Sequence, residues 1–217
     1  MKYISNLNQK SDALSTGLAV LGIGSVWGLL EMTLGGFLHT VHFPQTGAVM
    51  GGVAISLMAV FLSITKNPLL VPLLGIIAAS FKPFSAFIFG QPVFSAYVIN
   101  PAIAIFMEAV AFGAVTYIMA RAMDKNLHAK LGAGFLAGTL GIVFYAIIAS
   151  SFGLGKWPFL DFGDNIQTII ATGAPIAVVG MVTLTAGYLA GKYSRPLLAA
   201  FRKTSPRLYY ASTMLLI

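Results

Sequence analysis

Residues 27–52 read WGLLEMTLGGFLHTVHFPQTGAVMGG, and this stretch decides the class of the fold. An apolar run holds one carboxylate, Glu31, then gives way to a short segment with His39, His42 and Pro44 before a second apolar run starts near Thr46. Two such runs joined by a short connector are two membrane-crossing helices, because a hydrocarbon core of about 30 Å needs about 20 apolar residues per helix. A charge inside such a run costs about 3 kcal/mol or more unless it is paired or faces a cavity, which makes Glu31 a candidate functional residue.

The rest of the chain agrees with that class. Of 217 residues, 58% are hydrophobic and 9% charged, against roughly 25% charged residues in soluble domains. The net charge of +7 is no sign of nucleic-acid binding, which needs a clustered basic face on a soluble module; here the charges fall between apolar runs. Cysteine is absent, which excludes disulfides, thiolate metal sites and cysteine nucleophiles. The basic start MKYISNLNQK resembles a signal peptide, but the run behind it, roughly Gly17 to Val41, is too long and lacks a cleavage site, so it is read as a retained first span.

About six segments are long enough to span: Gly17 to Leu38, Thr46 to Thr65, Pro68 to Phe89, Pro101 to Met123, Lys130 to Phe152 and Asn165 to Gly191. They lack the period-two alternation of barrel strands, so the expected fold is an all-α integral membrane bundle. Residues 1–192 form the six-helix transmembrane domain, and residues 193–217, basic and aromatic, form an interfacial C-terminal segment. Lys2, Lys10, Lys66, Arg121, Lys125, Lys130 and the basic residues after the sixth span belong on one side, whereas the opposite connectors hold only Lys156 among basic residues. The positive-inside rule then puts both termini in the cytoplasm.

Three ionisable residues lie inside the spans, Glu31, Lys82 and Glu108. At 1.5 Å per residue, Glu31 and Lys82 each sit about 14 residues, roughly 21 Å, above the cytoplasmic end of their span, and Glu108 comes out roughly 20 Å above it. The three therefore share one level in the outer half. A structural ion pair between Lys82 and one glutamate would leave the second glutamate unexplained. An outward-open pocket accounts for all three, and a proton or cation relay is the remaining alternative. Tyr145 and the stretch Thr172 to Pro175 reach a similar depth, and Pro175 should free the carbonyl of Ala171. Asn100-Pro101 reads as the start of the fourth span, with Asn as cap and Pro at the first helical position.

On a helical wheel Gly17, Gly24, Gly28, Glu31 and Gly35 share a face, with Gly24 and Gly28 in a GxxxG spacing suited to close helix approach, either within the bundle or onto another subunit. No P-loop, HExxH or GxSxG sequence is present, and Ser25 lies far in depth from His39 and His42, so no catalytic residue, enzyme activity or cofactor is expected. His39 and His42 stand three apart, but two ligands without a third do not make a metal site; they are read with Pro44 as a lid.

The arrangement of about six spans, the glycine-rich first helix, the connector leading into PQTG, and NPAIAIFMEA opening the fourth span together resemble the substrate-binding S component of energy-coupling factor transporters. That resemblance implies a plasma-membrane protein of a prokaryotic cell that captures a vitamin-like micronutrient on the outer side. It implies association with a transmembrane coupling subunit and cytosolic ATPases, with Gly24 and Gly28 docking the coupling subunit and residues 39–46 closing the pocket. Cobalt and nickel members of the family begin Met-His, whereas this chain begins Met-Lys-Tyr, so a metal substrate is not expected. The expected solute-binding residues are Glu31, Lys82 and Glu108 at the base, Asn100 and Tyr97 near the mouth, Tyr145, and Trp157 or Phe159 stacking on a ring. A proton-coupled secondary transporter or channel subunit, or a non-transporting membrane scaffold, are the alternative functions.

Overall fold

The computed structural model describes residues 2–154, 162–205 and 208. Among these the chain is about 90% helical with no strand. The helices are α1 (Lys2–Leu30), followed without a break by a π-helical turn (Glu31–Gly35) and α2 (Gly36–Thr40); α3 (Thr46–Thr65); α4 (Val71–Ser80); α5 (Lys82–Phe89); α6 (Ala96–Lys125); α7 (Leu127–Ser151); and α8 (Phe162–Thr204). Six stretches are long and apolar enough to cross a membrane: Ala13–Thr40, Thr46–Thr65, Pro68–Phe89, Ala96–Lys125, Leu127–Ser151 and Ile166–Phe201. The chain is a multi-pass membrane protein.

Two boundaries differ from the sequence expectation. The fourth span starts at Ala96, after Ser95 in an extended conformation, so Pro101 lies inside the helix and Asn100 is not its cap. Proline is tolerated there because it removes one intrahelical bond, the one that would reach the Tyr97 carbonyl. The sixth helix continues past Gly191 to Thr204, through both Pro175 and Pro196, so residues 193–204 prolong the last span as helix.

The spans pack in a ring: α1 on α4, α4 on α6, α6 on α7, α7 on α8, α8 on α3, and α3 back on α1. Trp27, Phe61, Phe112, Met58 and Met123 are fully buried at its centre. Large apolar side chains such as Phe87, Phe94 and Ile118 point outward, which costs nothing where the surrounding solvent is lipid. Glycines set the closest approaches, as expected where packing rather than water exclusion drives association. A Cβ on Gly134 would overlap the Gly180 backbone, and one on Gly187 would overlap the carbonyl of Ser56.

Gly24 and Gly28, expected to dock a partner, are buried inside this ring. A Cβ on Gly24 would lie 3.0 Å from Ile77 Cβ, and one on Gly28 would lie 2.5 Å from Phe81 Cδ2. The GxxxG face is thus filled by α4 of the same chain and leaves no room for a second subunit. Gly36 continues the seam by receiving the ring of Phe89 from α5.

Both partners in this seam are interrupted at the same depth. The first span passes through its π turn at Glu31–Gly35. The third breaks at Phe81, where α4 ends and Pro83 sits in the first turn of α5, since a proline in a helix interior clashes with the carbonyl four residues back. At the far end of the bundle, Lys66 in the α3–α4 connector bonds Asp124 of α6 and donates to Tyr188 Oη of α8 at 2.6 Å, while Tyr188 donates to Asp124 Oδ1 at 2.6 Å.

Candidate functional site

A cavity of about 280 Å³ opens beside the two interruptions, walled by the π turn, α3, α5, α6, α7 and α8. Glu31 begins the π turn and is 6% exposed; Lys82 begins α5 and is 3% exposed. Lys82 Nζ lies 3.2 Å from Glu31 Oε2 and donates at 2.9 Å to the Glu31 backbone carbonyl. The other carboxylate oxygen, Glu31 Oε1, accepts from Trp27 Nε1 at 3.4 Å, one helical turn earlier. The Lys82 carbonyl at the break accepts from Ser85 Oγ at 2.6 Å. Both charges of the pair are therefore held by groups from the two interrupted spans.

Glu108 comes from the middle of α6 and lines the same cavity. Its Oε1 is buried and meets no hydrogen-bond donor among the described residues. Space around it is cleared by two glycines: a Cβ on Gly51 would sit 3.2 Å from Glu108 Oε1, and one on Gly141 would sit 3.4 Å from Glu108 Cα. Gly35 does the same for the ion pair, its Cβ position lying 3.3 Å from Glu31 Oε2. Asn100, about two turns earlier on α6, places a buried Oδ1 in the wall that meets no donor among the described residues. Ile105, Ile142, Ile176 and Pro101 supply much of the apolar lining, to which Tyr145 and Thr172 add polar groups.

Of the residues singled out in the sequence, Glu31, Lys82, Glu108, Asn100 and Tyr145 thus share one cavity wall. Tyr97 does not line it. Its ring lies edge-on to His39, centroids 6.0 Å apart, and tilted against Phe89 at 6.4 Å, so it braces the residues over the cavity. Trp157 and Phe159 lie outside the described residues.

His39 reaches the cavity, but His42 and Pro44 do not. His42 instead ends α2: its backbone is left-handed (φ 52°), its N–H bonds the His39 carbonyl at 3.2 Å, and the Phe43 N–H bonds the Leu38 carbonyl at 2.9 Å. This is the Schellman pattern that usually employs glycine, filled here by histidine. Thr46 and Gly47, from the PQTG segment, line the mouth beside His39. No group of three His, Cys, Asp or Glu that could hold a metal ion occurs among the described residues.

Sequence reasoning placed Gly35 on a close-approach face but not beside the Glu31 carboxylate, and passed over Gly51 and Gly141, which leave space for Glu108. It also passed over the Trp27 to Glu31 hydrogen bond, although a spacing of four on a helix was the signal for it. No family model matches the chain, and neither a curated protein nor a solved structure does.

Proposed function

We propose that this protein is the solute-capture subunit of an ATP-driven micronutrient importer, comparable to the S component of energy-coupling factor transporters, and that it hydrolyses nothing itself. The observation that carries this reading is Glu108. A structural ion pair needs Glu31 and Lys82 only, yet a second carboxylate is buried beside them with an oxygen that no donor among the described residues meets. Buried polar groups are hydrogen-bonded as a rule, and an acceptor left open on a cavity wall is matched by what enters the cavity. Basic residues gather at the Lys66 end, which orients both termini to the cytoplasm and the His39 end to the exterior of a prokaryotic plasma membrane. His39, Thr46 and Gly47 then stand at an outward mouth. Since Gly24 and Gly28 are occupied internally, a coupling subunit that meets the first helix would use its earlier residues, Ala13, Thr16, Gly17 and Leu21. These border an open groove against Leu73 and Ile76.

Native mass spectrometry of the protein released from membranes tests the capture reading. A retained small molecule is expected in the native chain and should be lost in Gly141→Leu, whose side chain fills the space next to Glu108. Identical spectra for both proteins would defeat it.

The unmet carboxylate also favours a second reading, a proton-coupled transporter in which Glu108 carries the proton. That reading requires the isolated chain in proteoliposomes to drive solute uptake with a proton gradient and no ATP, whereas the capture reading requires no active uptake.

A further inference from the structure

The charges and acceptors around the cavity specify more than an unspecified polar solute. Lys82 is the one cation among its described lining residues apart from any charge on His39, and it is tied to Glu31 by an ion pair to Oε2 at 3.2 Å and a hydrogen bond to the backbone carbonyl at 2.9 Å. Its charge is balanced by that neighbour, so it is no free cation for an anion. Glu31 is engaged on both oxygens, by Lys82 on one and Trp27 on the other. Among the described residues, the buried side-chain oxygens of this wall that meet no donor are Glu108 Oε1 and Asn100 Oδ1.

A buried carboxylate is ionised most readily by a cation placed beside it; once ionised it can only accept, and its strongest small-molecule partner is a charged N–H, whose hydrogen bonds are roughly twice as strong as neutral ones. A divalent metal is disfavoured, because the described residues bring no three His, Cys, Asp or Glu together and the Lys82 ammonium stands in the same wall. The volume of about 280 Å³ equals roughly nine waters at about 30 Å³ each, which is space for on the order of ten non-hydrogen atoms. Ile105, Ile142 and Ile176 would flank an apolar body.

Resting on the solute-capture reading, we infer that the ligand is a small organic monocation of single-ring size, a protonated amine or amidine, with its charged N–H group directed to Glu108 Oε1 beside the neutral Glu31–Lys82 pair and its far end toward Asn100 Oδ1.

The test uses the full chain in detergent, dialysed free of retained solute, and titrated calorimetrically at pH 7 with benzylamine, benzyl alcohol and benzoate, which share one ring and differ in charge. Benzylamine should bind at least tenfold tighter than either of the others, and Glu108→Gln should abolish that preference while Lys82 and Glu31 remain paired. The native chain alone already decides the matter should the variant not fold. Benzyl alcohol or benzoate binding as tightly as benzylamine, or benzylamine affinity surviving in Glu108→Gln, overturns the inference. If the neutral or anionic probe binds and Gly141→Leu blocks it, the charge assignment fails and the capture reading stands. If none of the three binds and native mass spectrometry finds nothing retained, both fail.

Discussion

Replacing Lys82 by methionine keeps the length and apolar stem of the side chain and removes only the ammonium. The Glu31 carboxylate then loses its partner at 3.2 Å, and the Glu31 carbonyl loses its donor at 2.9 Å, in a place where the two residues are 6% and 3% exposed. Breaking one side of a buried pair costs about 3–5 kcal/mol. An independent bound comes from the escape open to a lone carboxylate, which is to bind a proton. At pH 7 that costs about 3.7 kcal/mol, from about 1.36 kcal/mol for each of the roughly 2.7 units between pH 7 and an ordinary glutamate pKa of about 4.3. The two figures agree. At about 2–4 °C per kcal/mol for a chain of this size, Lys82→Met should melt roughly 6–20 °C below the native protein in detergent. The double variant Glu31→Gln, Lys82→Met leaves no charge behind and should recover most of that loss. A single variant melting within 2 °C of native, or a double variant no better than the single, would refute the coupling described here.

At the opposite end of the bundle, partial burial acts to lower the pKa of Lys66, but its hydrogen bonds to Asp124 and Tyr188 outweigh this and the net shift is upward from 10.5. A raised folded pKa gives stabilisation that is complete below about 10.5 and lost as the pH rises through the folded value. Because the pair is largely exposed, Lys66→Met should cost no more than about 1 kcal/mol at neutral pH, with the gap to native closing in melts above pH 10.5. His42→Gly should leave the melting temperature near native, whereas His42→Val, β-branched in a left-handed position, should cost about 1–2 kcal/mol. Gly134→Ala should lower stability by about 1–3 kcal/mol, since its methyl meets the Gly180 backbone, which no rotamer change can move aside.

Much of this was legible because the bilayer imposes a ruler. Span lengths follow from its thickness, and counting 1.5 Å per residue along them brought Glu31, Lys82 and Glu108 to one level, where they line one cavity. Contacts set by the neighbouring helix were not legible. GxxxG announces close approach but not the partner, and Gly24 and Gly28 met Ile77 and Phe81 of the same chain. Asn100-Pro101 carried the local signal of a helix start, yet the turn from Ser95 had already begun the helix, and one missing N–H in a long apolar helix is a small loss. His42 closed α2 without the glycine that normally marks such an end. Nothing in the residues Glu31–Gly35 announces a π turn.

That turn has a consequence in register arithmetic. An α-helix advances about 100° per residue, so Gly36, eight residues beyond Gly28, would stand about 80° away from the glycine seam in an unbroken helix. The π turn takes up one extra residue, which leaves seven effective steps and brings Gly36 to within about 20° of the line through Gly24 and Gly28. Their partners Ile77, Phe81 and Phe89 follow at the same spacings, each 53 positions along the chain from its glycine. The extra residue thus lets the two neighbouring spans stay in step along their whole length while Glu31 bulges out of line toward Lys82. Deleting one residue between Met32 and Gly35 would leave seven α-helical steps from Gly28, so Gly36 would stay on Phe89 and His39 at the cavity mouth, while the local bulge that turns Glu31 toward Lys82 would be lost.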